Sequence, residues 1–419
     1  MSDARLRLAQ AKKRIVRQQR RIERMSAAAP NRVRAETLLQ LLRRREHRAT
    51  QYLGMVSGWS RKHRRSRFPR NIKNRFIGPP KARETTEQRK ARWDQNVRSF
   101  LDKQYEAAPH YKSCVLMAWE KFLALNLPSE HFVTELVSGN KAKILQRVWE
   151  MMIARHLDAL GFKITTAAKG PDFRFEHENK VYWIEAVSPE PMGVPEDYLE
   201  FPKPGEFKVG DVPHEEVRRR WIAAVDEKAK KLKKYRAKGI VGSKDAYVIA
   251  VNGCQLGALP IDHGLSGLPY AVEAVYPAGP VTIPVERATG AFGKPYIGSQ
   301  WSIKSANGSP VPTSMFVNRE HAGVSAVIAS SSDRSEDPIL PLDVVHNNFA
   351  EVPVGRGLLG AKSDEWVPSP DGKGGINITK VALKSQMVAG AVTGSVEGTE
   401  ISLGHDLNCD SAQDSLSGR

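Results

Sequence analysis

The sequence predicts an α/β fold: a mixed β-sheet flanked by helices, preceded by a basic helical N-terminal region and followed by a disordered C-terminal tail. Three observations predict it. Two aromatic and β-branched runs, Gly170–Phe175 and Val181–Val187, flank the polar pair Glu178-Asn179 and predict a β-hairpin. Segments of helical period lie on either side of that hairpin, and the nearly continuous apolar run Ala246–Asn252 has the character of a buried central strand.

The 419-residue chain carries a formal charge of +18, unevenly spread. Residues 1–100 hold 29 Lys+Arg against 7 Asp+Glu, whereas the remaining 319 hold 35 against 39, so all of the excess lies in the first quarter. Within it, Ala4, Leu8, Ala11, Ile15, Gln18, Ile22 and Met25 follow heptad spacing on an arginine-rich helix, which suits a homo-oligomer or a single docked amphipathic helix. A second helix is expected over about 34–52. The stretch from Trp59 to Arg75 is basic with interleaved aromatics, a composition suited to a phosphate backbone through counterion release and base stacking. These features define an expected nucleic-acid-binding region over 1–95, a core over 96–360 and a mostly flexible tail over 361–419.

The core begins with a helix over Lys141–Leu160, apolar at Ile144, Leu145, Val148, Met151, Met152, Ile153 and Leu157 and stopped by Gly161. Glu150 falls on its Ile153/Leu157 side, where a carboxylate either snorkels to solvent or has a partner. In the hairpin, a two-residue loop at Glu178-Asn179 pairs Phe175 with Tyr182, Phe173 with Ile184 and Asp172 with Glu185. Opposed carboxylates about 5 Å apart repel unless a cation lies between them, and a one-residue slip would send Glu185 to the other face.

A helix over His214–Ala237 follows, with Trp221, Val225, Leu232 and Tyr235 on its apolar stripe and Lys228 on the same stripe; Lys230, Lys233 and Lys234 belong to a solvated basic face. After the Ala246–Asn252 strand, residues 255–320 form an irregular β insertion that is a candidate for substrate contact, and Val324–Ala329 is expected to join the main sheet.

Inward Glu150, Pro171-Asp172 at a strand start and Glu185 at the end of the next strand resemble the PD-(D/E)-x-K nuclease superfamily over roughly residues 131–255. The resemblance implies a restriction-endonuclease-like core and a metal-dependent endonuclease of DNA. Asp172 and Glu185 would hold Mg²⁺ or Mn²⁺ with the Ala186 carbonyl, and Glu150 would orient the attacking water; such hard ions take oxygen ligands. The motif lysine, two positions after Glu185, is replaced by Val187, so Lys228 is the candidate for a lysine that reaches the site from a neighbouring helix. Two further readings stay open: a non-catalytic nucleic-acid-binding protein on the same fold, and an interaction protein oligomerised by its N-terminal helix.

Cys114, Cys254 and Cys409 are too far apart for a disulfide framework or zinc spacing and fit a reducing cytoplasm. The N-terminus lacks an apolar signal core, and the run Val115–Leu127 is broken by Glu120 and Lys121, so no membrane partner is expected. Gly355–Ser363 approximates a phosphate-binding loop, but an extra Ala361 separates Gly360 from Lys362 and no hydrophobic strand precedes it.

Overall fold

The computed structural model describes residues 84–383 except 167–168, 203–207, 259–260, 361 and 371–375, together with the strand 396–402 and the single residue Gln19. The expected N-terminal heptad helix, the second helix and the Trp59–Arg75 segment therefore lie outside the described residues. The chain divides into two compact units. The first is built from helices α1 (Thr86–Gln104), α2 (Pro109–Ala124) and α3 (Glu130–Leu136). Thr85 caps α1 reciprocally with Gln88, the capping-box arrangement that satisfies two otherwise orphaned donors. Trp93, Val97 and Leu101 form the buried stripe of α1, and the Trp93 indole donates to Glu130 at 2.8 Å. The boundary expected at residue 95 falls inside this helix.

The second unit holds α4 (Lys141–Ala159), the hairpin β1 (Phe173–His177) and β2 (Lys180–Val187), the short α5 (Glu196–Leu199), α6 (His214–Ala237) and β3 (Ala246–Asn252). Next come α7 (Tyr270–Val275), the small ribbons β4 (Ala278–Thr282) with β5 (Tyr296–Ser299) and β6 (Ser302–Lys304) with β7 (Pro310–Pro312), then β8 (Ala326–Ser330) and β9 (Asp343–His346). The main sheet has eight strands in the order β1-β2-β3-β8-β9, followed by β10 (Asp364–Pro370), β11 (Ile376–Leu383) and β12 (Val396–Ser402). It is mixed: β2, β3 and β8 run parallel, as do β9 and β10, and the remaining neighbours are antiparallel. Among the described residues no helix is long and apolar enough to cross a membrane.

Every residue of β3 is buried, as a strand covered on both faces requires. Tyr247, Ile249 and Val251 pack with Trp221, Val225 and Leu232 of α6. The alternate residues Ala246, Val248 and Ala250 are buried on the other face, where the Trp149 indole of α4 donates to the Ala250 carbonyl at 3.0 Å. Gly253, just past β3, lets α6 approach closely: a Cβ there would come within 2.7 Å of the Trp221 ring.

Where a flexible tail is expected over 361–419, with disorder beyond Val388, the residues of β10, β11 and β12 are strands of the main sheet. Trp366, Ile378 and Val381 are buried anchors, and the rest of these strands is held by continuous backbone pairing. Ladder hydrogen bonds of this kind extend a sheet without a strongly apolar pattern. The 355–360 loop is likewise structural, since Gly357 N–H donates to buried Glu365 at 2.6 Å.

The hairpin register is the expected one, with Phe173 opposite Ile184 and Phe175 opposite Tyr182. Glu178 and Asn179 have φ of 49° and 60°, the left-handed pair of a type I′ turn, whose twist matches that of the strands. A left-handed residue other than glycine costs roughly 1–2 kcal/mol. Replacing the pair by Asn-Gly (Glu178→Asn with Asn179→Gly) should therefore raise unfolding free energy by about 1 kcal/mol in urea titrations; an unchanged or lowered midpoint would show that the turn has another conformation.

Candidate active site

The hairpin register pairs Phe173 with Ile184, and Asp172, immediately before Phe173, lies against the next residues of β2. Its carboxylate accepts a hydrogen bond from the Ala186 N–H at 2.7 Å. Glu185 pairs across β2 and β3 with Ile249, so its side chain faces α6. There Lys228 Nζ donates to Glu185 Oε1 at 2.8 Å and Lys231 Nζ reaches the same oxygen at 3.3 Å, while the Tyr235 hydroxyl donates to Oε2 at 3.2 Å. The α6 stripe places these donors together, because positions 228, 231 and 235 are spaced three and four apart. Glu185 is 4 % and Lys228 8 % exposed, so this is a desolvated ion pair. The Tyr247 hydroxyl, donating to the Lys228 carbonyl at 3.1 Å, fixes the helix over the strand.

Glu150 enters from α4 and is also buried. Arg147 donates to both its oxygens at 2.8 and 2.7 Å, and the Gln146 amide donates to Oε1 at 2.8 Å. Gln146 also donates to the Ala186 carbonyl at 3.2 Å and accepts from Ser188 N–H at 2.7 Å. One side chain thus ties the helix carrying Glu150 to the strand carrying Glu185. Ser188 is in turn held by Gln255, whose amide donates to its carbonyl and hydroxyl at 3.1 and 3.0 Å.

The charges of these groups act on one another. Burial, followed by the charges of Glu150 and Glu185, pushes the Asp172 carboxyl well above its ordinary value. Burial also raises Glu150, against the pull of Arg147 and Lys228. For Lys228 burial opposes the charge, but the Glu185 carboxylate outweighs it and the ammonium titrates above its usual range. Tyr235 and Tyr247 are held neutral by burial and by Glu185. Three carboxylates therefore face three cations, Arg147, Lys228 and Lys231, and Asp172 is the acid without a salt bridge among the described contacts.

The structure brings all four sequence-derived side chains, Glu150, Asp172, Glu185 and Lys228, into this cluster with the Ala186 backbone between them. Val187 stands at the motif-lysine position at the end of β2 and supplies no charge. Lys230 pairs with Asp226 on the exposed side of α6, as its place on the solvated face requires. Gln146, Arg147 and Lys231 were not read from the sequence as site residues. Each lies three or four positions from a residue that was, and this helical spacing is the available signal. Tyr235 was read only as an apolar marker.

Asp172 gives a pH test with a definite sign. Its folded carboxyl titrates above the unfolded one, so its contribution is complete below the ordinary aspartate range and is lost as pH rises through the raised folded value. Asp172→Asn should therefore stabilise the protein in EDTA at pH 8 on the order of 1–2 kcal/mol, with a smaller gain at pH 4. A gain independent of pH, measured by urea unfolding, would place Asp172 in a less crowded setting. No protein-family model matches the sequence, and comparisons with curated proteins and with solved structures give no match.

Proposed function

We propose that the protein is a metal-dependent endonuclease of DNA, with a restriction-endonuclease-like core of the PD-(D/E)-x-K type in which Lys228 takes the part of the missing motif lysine. The observation that carries this reading is the convergence of Glu150, Asp172, Glu185 and Lys228 from α4, the start of β1, β2 and α6. A fold that needed only stability would gain nothing from crowding three acids in a desolvated place. The oxygen-rich donor set of Asp172, Glu185 and the Ala186 carbonyl fits Mg²⁺ or Mn²⁺. Such an ion would polarise a phosphate and activate water for its hydrolysis.

In this reading each residue has a separate task. Asp172 and Glu185 would hold the cation, which calls for the deprotonated Asp172 carboxylate. Glu150, fixed by Arg147 and Gln146, orients the attacking water. Lys228 shifts its ammonium from Glu185 toward the charge that develops on the phosphate, with half-exposed Lys231 beside it. The basic N-terminal region supplies sequence-independent grip on the phosphate backbone.

A second reading, a nucleic-acid-binding protein without catalysis, is favoured by one observation: Lys228, Lys231 and Tyr235 already satisfy Glu185. Metal dependence separates the two. The endonuclease reading expects plasmid cleavage in Mg²⁺ or Mn²⁺ that stops in EDTA. Lys228→Ala should lose about 10²-fold or more in cleavage rate with duplex binding nearly intact, while Lys233→Ala and Lys234→Ala should change little. A wild type that binds DNA but cleaves with no divalent ion would hand the protein to the second reading. Removing residues 1–83 should weaken DNA binding and flatten its salt dependence while α1 stays whole; an unchanged salt titration would assign the basic region to another partner.

A further inference from the structure

The β4–β5 ribbon projects from the second unit and is continued by the bridge between Val285 and Phe292. Gly293 N–H donates to the Pro284 carbonyl at 2.8 Å, and Glu286 N–H to the Ala291 carbonyl at 2.9 Å. Gly290, at φ +70°, closes the turn. A Cβ at Gly293 would come within 2.8 Å of the Pro284 ring, so the two strands cross closely there. Every residue from Ile283 to Tyr296 is exposed. A surface hairpin ordinarily buries one face, whereas this one buries neither and still carries Val281, Ile283, Val285, Phe292, Tyr296 and Trp301, with Phe292 78 % exposed. An apolar surface of this kind marks a binding site.

Its charge and its edges select the occupant. Between Ala278 and Lys304 the acid is Glu286, against Arg287, Lys294 and Lys304. Glu286 is held within the turn by the Thr289 hydroxyl, so the outward charge is positive. Pro280, Pro284 and Pro295 interrupt the N–H rows of both strands, which blunts them against strand addition by a second copy of the chain. The ribbon is also fastened to the helix that carries Lys228. Arg218 donates to Gln300 Oε1 at 2.7 Å and Arg219 to the Lys304 carbonyl at 2.7 Å. Ten residues of helix separate Arg218 from Lys228, about 15 Å, a span of a few base pairs.

We propose that the ribbon over 281–301 is a duplex-DNA arm. It enters a groove, as two-stranded ribbons do, with Arg287 and Lys294 on phosphates and Phe292 and Tyr296 against the bases. This rests on the reading of the protein as an endonuclease of DNA and names the element that seats its substrate.

The test is binding of a short labelled DNA duplex to the full chain, followed by fluorescence anisotropy across a salt titration in EDTA. The paired change Phe292→Ala with Tyr296→Ala should weaken binding about tenfold or more at constant salt slope. Arg287→Ala with Lys294→Ala should weaken it and lower the slope by about two. Because all four side chains are exposed, circular dichroism should show both variants folded. Wild-type affinity in both variants would overturn the arm, as would absence of duplex binding by the wild type. A shift from dimer to monomer in sedimentation, with DNA affinity unchanged, would also overturn it and make a second copy the occupant. The two proposals fail separately: duplex binding that depends on the arm without cleavage in any divalent ion removes the endonuclease alone, whereas metal-dependent cleavage that both variants retain in full removes the arm alone.

Discussion

Crowding of like charge out of water is the constraint around which the second unit is arranged. Glu150 comes from α4 and Asp172 and Glu185 from the hairpin that follows it, and taking even one carboxylate into a desolvated setting costs several kcal/mol unless a cation or hydrogen bonds answer it. The compensation comes from Arg147 and Gln146, one helical turn before Glu150 on α4, and from Lys228, Lys231 and Tyr235 on α6 for Glu185. Asp172 receives a backbone N–H and, among the described contacts, no salt bridge, with Lys228 acting on it only through space. The imbalance at that one carboxyl is what makes the cluster look like a place for chemistry and not a closed ion-pair network.

The sheet makes such crowding geometrically simple. Antiparallel pairing of β1 and β2 leads Asp172 to the Ala186 N–H beside Glu185, and parallel pairing of β2 with β3 turns Glu185 toward α6. The Trp149 hydrogen bond to β3 fixes the rotation of α4, and Glu150 follows it in the chain. Each placement is set by strand parity or by helical period, and neither tolerates a slip of one residue.

Those same periodicities explain what the sequence discloses. The hairpin register, the buried character of Ala246–Asn252 and the place of Lys228 on the stripe of α6 follow from patterns of two and of three to four, and the structure has all three. What stayed hidden is polar. Gln146 and Lys231 lie on the right faces, but a polar side chain on a helix border serves solvent and site equally well until its partner is known. Strands β10 to β12 were illegible for a different reason: their pairing is carried by the backbone, with Trp366, Ile378 and Val381 as sparse anchors among Ser, Asn, Thr and Pro. Helices α1 to α3 belong to a unit separate from the sheet, and the charge excess that suggests a boundary at residue 95 runs into α1.

The close approach at Gly253 has a consequence for the charged cluster. Trp221, against which position 253 rests, stands two helical turns before Lys228 on the same face of α6. Any side chain at 253 would displace the indole and lever the helix outward, lengthening the reach from the Lys228 ammonium to Glu185. A methyl group remote from every charged atom would thereby loosen the charge balance of the cluster. The glycine thus acts as a spacer that sets how far a lysine on a neighbouring helix must stretch.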